Sequence, residues 1–164
     1  MLSAIGCGSS ELVPADFSVP LGFRASDFHV RPISVADAEK DYEAVMESIE
    51  LIHAALLDDR WPTESFTLEQ NRRDLAEKEG RFERRRNFTY TVVSPDEKRV
   101  LGCVYIFEGK RGPDAAVFMW VRQSSFEAGL DPKLESAVRD WIQREWPFEW
   151  VVYPGRGVPQ RGAG

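Results

Sequence analysis

Cysteine is scarce in this chain of 164 residues: Cys7 and Cys103 stand alone, far apart and without metal-ligand spacing. Two distant thiols exclude a disulfide framework and offer no zinc site. No window reaches the apolar length of a membrane helix, and Met1 to Cys7 has neither the basic region nor the apolar stretch of a signal peptide, so no membrane partner is expected and the cytoplasm is the default location. Basic excess is lacking too. Lys and Arg number 21 against 27 Asp and Glu, a formal net charge of −6, which argues against nucleic acid because phosphate binding needs concentrated positive charge. The basic run Arg81 to Arg86 is interleaved with Glu77, Glu79 and Glu83, the pattern of a solvated helix face. Internal repeats and low-complexity tracts are absent.

The chain does hold enough apolar material, 43% hydrophobic residues with 12% aromatic, to bury one core. Glycine and proline punctuate residues 1–27, which read as an extended arm pinned by Phe17, Leu21 and Phe23, and residues 155–164, a glycine-rich and flexible tail. One domain over residues 28–154 lies between them. Phe28, Val30 and Pro32 alternate with polar residues as a short strand, and Ser34 with Asp37 approximates a capping box. Apolar residues at helical spacing then predict one helix from Ala38 to Leu56. After a loop through Asp58 to Pro62, Thr67 with Gln70 opens a second helix, striped by Leu68, Leu75 and Phe82. The period changes to two from Phe88; Val100 to Phe107 is apolar almost throughout, as in a strand buried on both faces; Ala116 to Val121 completes an antiparallel meander. Asp131 as cap and Pro132 at the first helical position predict a third helix, closed by Pro147 and followed by a strand, Trp150 to Tyr153.

Strand, helix, helix, three strands, helix, strand is an order that resembles the GNAT acetyltransferase superfamily, with Val117 to Trp141 in the place of its cofactor-binding core. The stretches Asn87 to Val92 and Leu101 to Ile106 are similar to those of bacterial GNAT-like proteins. The resemblance implies an α/β (α+β) fold: a mixed, mainly antiparallel central sheet flanked by helices, with one right-handed strand-helix-strand crossover. It implies acetyl transfer from acetyl-CoA to an amine of a small molecule or peptide. The alternative is a non-catalytic binding or interaction module on the same fold. Family members commonly continue after the strand at Trp150, which predicts an open edge there that residues 13–21 or a second subunit would cover; a homodimer is left open.

In the family a loop of Gln or Arg, two residues, Gly, one residue, and Gly or Ala offers backbone N–H groups to the pyrophosphate. Counted from Gln123, this chain has Phe126 and Ala128 at the glycine positions, with Glu127 and Asp131 adding negative charge. By resemblance the cofactor would run along Trp120, Val121 and Arg122, its phosphates near Gln123, Ser124, Ser125, Gly129 and Leu130. Acetyl transfer needs a proton acceptor and an acid for the thiolate, for which Glu108 and Tyr153 are the catalytic candidates. His53, Asp59 and Trp61 border the expected acceptor site, where an acidic, aromatic rim suits a cationic amine. No metal ligand set is expected.

Overall fold

The computed structural model describes residues 11–157 and 160–161. The first ten residues of the expected arm, and residues 158–159 and 162–164 of the expected tail, lie outside them. Seven strands form one sheet in sequence order. They are β1 (Phe23–Arg24), β2 (His29–Pro32), β3 (Phe88–Val93), β4 (Val100–Glu108), β5 (Ala115–Val121), β6 (Trp150–Val152) and β7 (Gln160–Arg161). Strands β1 to β5 pair antiparallel, β5 and β6 pair parallel, and β6 and β7 pair antiparallel. The parallel β5–β6 pair confirms the strand-helix-strand unit expected from the sequence.

Helices cover both faces. On one lie α1 (Ala38–Glu47), α2 (Ile49–Leu56) and α3 (Leu68–Glu83), whose Val45, Ile52 and Leu75 pack on Cys103, Tyr105 and Trp120. On the other, α5 (Leu130–Glu145) presents Leu134, Val138, Trp141 and Ile142 to Tyr90, Val104 and Met119. Seven of the nine residues of β4 are buried, as its apolar run requires, and all six of β3 are buried too, Thr89 and Thr91 included, because helices cover both faces. At Gly102 strands β4 and β5 approach closely: a Cβ there would stand 2.1 Å from the Trp120 carbonyl oxygen, so only glycine fits.

Local chemistry was read correctly at α3. Gln70 N–H donates to Thr67 Oγ1 at 3.2 Å and Thr67 N–H to Gln70 Oε1 at 2.8 Å, a complete capping box. Elsewhere the structure corrects the sequence. The expected Ala38–Leu56 helix breaks at Ser48 (φ −131°), giving α1 and α2, and Val35–Asp37 precedes it as a 3₁₀ turn. Asp131 does not cap the third helix. Gly129, at φ +84°, turns the chain into α5, which begins at Leu130, so Pro132 falls third in a first turn whose N–H groups have no helical partner. Just before it, Gln123–Glu127 is a short helix, α4, where a loop was expected.

The edge of β6 is covered by β7 (Trp150 opposite Arg161, Val151 opposite Gln160), not by residues 13–21. Those residues lie on the α5 face instead. Val13 is buried there, Phe17 meets the Trp146 ring at 5.9 Å, Arg85 donates to the Pro14 and Phe17 carbonyls, and Tyr90 Oη donates to the Pro20 carbonyl at 2.6 Å. Trp141 and Trp146 are internal and serve the core.

Candidate active site: a cleft where two strands part

Pairing between β5 and β6 ends after Ala115–Val151 and Ala116–Val152. Beyond that point β5 continues to Val121 while the chain after β6 turns away, and a cleft of about 360 Å³ opens between them. Trp120 and Val121 form its floor, Leu51, Ala54 and Ala55 of α2 one wall, and Asp131 and Glu135 of α5 the other. Phe126 stands at the α4 end, and Pro154 to Arg156 close the rim.

That rim is a turn written in the sequence. In Tyr153-Pro154-Gly155-Arg156, Arg156 N–H donates to the Tyr153 carbonyl at 3.0 Å, and Gly155 takes φ +78°. Proline with glycine after it is the residue pair that a type II turn demands. The turn sends Arg156 back into the parting. Its Nη2 donates to the Met119 carbonyl at 3.0 Å, where a strand would otherwise pair. The same guanidinium is held by both Asp131 oxygens at 2.7 and 2.9 Å and by Glu135 Oε2 at 3.0 Å. Arg139 completes the group: it donates to Glu135 Oε1 and to the Arg156 carbonyl, and lies 3.9 Å over the Tyr153 ring.

A second polar knot fastens the far end of β5. The break between α1 and α2 brings Glu47 and Ser48 against the turn after Val121. Ser48 Oγ accepts from Gln123 N–H at 2.9 Å, and Glu47 Oε1 accepts from Ser124 N–H at 2.8 Å. Glu47 Oε2 accepts from Nε and Nη2 of Arg122, whose Nη1 reaches the Val100 carbonyl at 3.0 Å. Arg122 is therefore 6% exposed and turned inward. Its guanidinium, helped by the Ser124 N–H, draws the Glu47 carboxyl down to about 2 against the opposing effect of burial.

The residues expected from sequence are not gathered in one place. Trp120 and Val121 floor the cleft, and Trp120 Nε1 donates to Tyr105 Oη at 3.0 Å. Gln123, Ser124 and Ser125 belong to α4, while Gly129 is exposed and Leu130 buried at the start of α5. His53 and Asp59 line a shallow hollow with Asp58 and Arg60. His53 stands two residues from both Leu51 and Ala55, so on α2 it points away from the cleft. Its Nε2 is 2.8 Å from the Pro62 carbonyl, an acceptor only, so that nitrogen carries the proton. Trp61 lines an aromatic hollow with Phe107, Phe118, Asp74 and Lys78, whose Nζ lies 5.3 Å from its ring centre. Glu108 opposes Ala115, roughly 17 Å below Trp120 along β5 at 3.3 Å per residue. It faces a different hollow, beside Gly109 and Phe148.

Tyr153 adjoins the cleft through the rim turn, but its ring is buried and its Oη has no hydrogen-bond partner among the described residues. Burial pushes the phenol up to about 12 despite the Arg139 charge beside it. Sequence reasoning missed Glu47, Arg156 and Glu135. The Pro-Gly pair was the one available signal, for a reversal that returns Arg156; nothing local marks Glu47. Among the described residues no cluster of His, Cys, Asp and Glu is arranged to hold a metal ion, and no helix is long and apolar enough to cross a membrane.

The same architecture recurs in solved structures. The ribosomal-protein-S5-alanine acetyltransferase from Vibrio fischeri superposes with a TM-score of 0.62 at 19% identity, over 80% of this chain and 72% of that one. An acetyltransferase of the GNAT family from Bacillus anthracis matches with a TM-score of 0.59 at 13% identity, over 79% and 70%. The chain has the GNAT fold. A ribosomal L7/L12 α-N-protein acetyltransferase with this fold, determined in complex with coenzyme A, matches with a TM-score of 0.61 at 13% identity, over 80% and 71%. No protein-family model matches the sequence, and no curated protein matches it significantly. At these identities the likeness concerns the GNAT fold, and chemistry has to be argued from the cleft itself.

Proposed function

We propose that the protein is a GNAT-type N-acyltransferase that binds the acyl-pantetheine arm of acetyl-CoA in the cleft between β5 and β6. The observation that carries this reading is the parting itself: β5 loses its partner after Ala116 and runs on as the floor of an open, largely apolar cleft. An extended ligand with two amides, such as pantetheine, can pair with a free strand edge much as an added strand does. The Met119 carbonyl is the acceptor on offer once Arg156 lets go of it.

The reaction assigned is direct transfer. The amine nitrogen attacks the thioester carbonyl carbon, the C–S bond breaks, the sulfur leaves as thiolate, and the amine loses one proton. Tyr153 suits the acid role poorly, because a phenol held near 12 does not readily give its proton to a thiolate, whose thiol lies near 8.5. The proton is released to water at the open mouth, and the thiolate is protonated from solvent. Glu108, facing a different hollow, takes no part. The acceptor favoured is the amine of a peptide or protein, because the similar structures include acetyltransferases of ribosomal proteins. The acidic and aromatic hollows that include Asp58, Asp59 and Trp61 would attract its cationic end.

The separation of Glu108 and His53 from the cleft favours a second reading, a GNAT-fold module that binds the thioester without transferring it. One experiment divides the two. The purified protein is titrated with acetyl-CoA by calorimetry, then incubated with acetyl-CoA and a panel of peptide and small amines while thiol release is followed. Binding with amine-dependent release supports the transferase; binding alone supports the module; no binding refutes both.

A further inference from the structure

The structure of the turn after β5 narrows the donor. A nucleotide diphosphate next to this cleft would need free N–H groups at a helix start, or free cations, or both. Here the two N–H groups that open α4, on Gln123 and Ser124, already donate to Ser48 Oγ and Glu47 Oε1, and at the uncapped start of α5 Pro132 has no N–H to offer while the Asp131 carboxylate stands in the same first turn. The Glu47 carboxylate thus occupies the place an incoming anion would take. It brings the same charge and accepts the same kind of bonds. The nearby cations are committed as well: Arg122 to Glu47, Arg156 to Asp131 and Glu135, and Lys133 to Asp27 at 2.7 Å. The charged groups lining the cleft are two carboxylates against one guanidinium, which repel a polyanion.

The apolar part of the cleft has no such conflict. Trp120, Val121, Leu51 and the two alanines of α2 make a channel suited to an uncharged arm. We infer that this protein recognises its donor by the acyl-pantetheine arm alone, with the carboxylate of Glu47 holding the phosphate position closed, so that uncharged pantetheine thioesters are ligands equal to acetyl-CoA. This inference rests on the reading of the cleft as a thioester site. It assigns Glu47 as a specificity-determining residue. The electrostatics agree with the geometry, since Arg122 keeps that carboxylate ionised at any working pH.

Calorimetry with S-acetylpantetheine, S-acetyl-4′-phosphopantetheine and acetyl-CoA, each at low and high salt, tests it. The expected dissociation constants agree within about threefold, with little salt dependence because few ion pairs form. Acetyl-CoA binding tenfold or more tighter than S-acetylpantetheine, with an advantage that shrinks in salt, would overturn the inference and leave the thioester reading standing. Binding by none of the three would overturn both. Glu47→Gln keeps the side chain's shape and an oxygen for Ser124 N–H while releasing the Arg122 charge. It should favour acetyl-CoA over S-acetylpantetheine by threefold or more, with S-acetylpantetheine itself unchanged. A ratio unmoved in a folded variant would show that this carboxylate is not what excludes phosphate, and would overturn the assignment.

Discussion

Asp41 is the residue whose replacement should strengthen this protein. It sits on α1 at 4% exposure, facing Asn71 of α3, which is fully buried. Asn71 Nδ2 donates to Asp41 Oδ2 at 3.0 Å and to the Ala38 carbonyl at 2.9 Å, while Asn71 Oδ1 is buried with no partner among the described residues. Burial pushes the Asp41 carboxyl up to about 6, with the Asn71 bond and Lys78 opposing it and Asp74 and Asp37 adding to it. The sign follows from linkage. Between about pH 4 and 6 the folded state holds a proton that the unfolded chain has given up, so stability falls as pH rises through that window. Above it the penalty is constant. A rise of about two pKa units corresponds to about 3 kcal/mol. Asp41→Asn removes the charge and supplies an N–H that can reach the orphaned Asn71 Oδ1. Urea unfolding at pH 4 and pH 7.5 should find the variant more stable by about 2–3 kcal/mol at pH 7.5 and the two proteins closer at pH 4. Taking the difference between variant and parent cancels the other titrating groups. A variant less stable at pH 7.5, or a difference that does not change with pH, would refute the reasoning.

Other substitutions test the fold and the cleft. Gly102→Ala forces a Cβ onto the Trp120 carbonyl, backbone against backbone, and should lower stability by about 2–3 kcal/mol in chemical denaturation; an effect below about 0.5 kcal/mol would mean that β4 and β5 sit further apart. Thr67→Ala removes half the capping box and should cost about 1 kcal/mol, with Ser at that position restoring most of it. Arg156→Gln strands Asp131 and Glu135 and should lose about 2 kcal/mol, while freeing the Met119 carbonyl so that S-acetylpantetheine binds at least as tightly as to the parent. If binding of S-acetylpantetheine collapsed in the folded variant, Arg156 would be part of the site and not its occupant.

Much of the fold is local, and local chemistry was enough to read it. The buried run of β4 and the Thr67–Gln70 box each specify backbone state and facing within a few residues, and both appear where the sequence put them, whereas the alternation in β3 marked a strand but not that Thr89 and Thr91 would be buried with it. The parallel strand after α5 followed from element order alone. Of the cleft lining, the sequence singled out Trp120 and Val121 of the floor and the charge of Asp131. Glu135, Arg156 and the nearby Glu47 it did not. Glu47 meets Arg122 across 75 residues and Arg156 meets Asp131 across 25, contacts fixed by how helices dock on the sheet and by one reversing turn, which no nearby residue encodes. Asp131 next to Pro132 carried a cap signal that Gly129 overrode by taking a left-handed conformation, and Arg156 then claimed the carboxylate. Sequence determined which segments are strands and helices and which faces are apolar, because those depend on neighbouring residues. Tertiary structure decided which charges stand in the cleft, because an ion pair forms between whatever the packing of distant segments brings together.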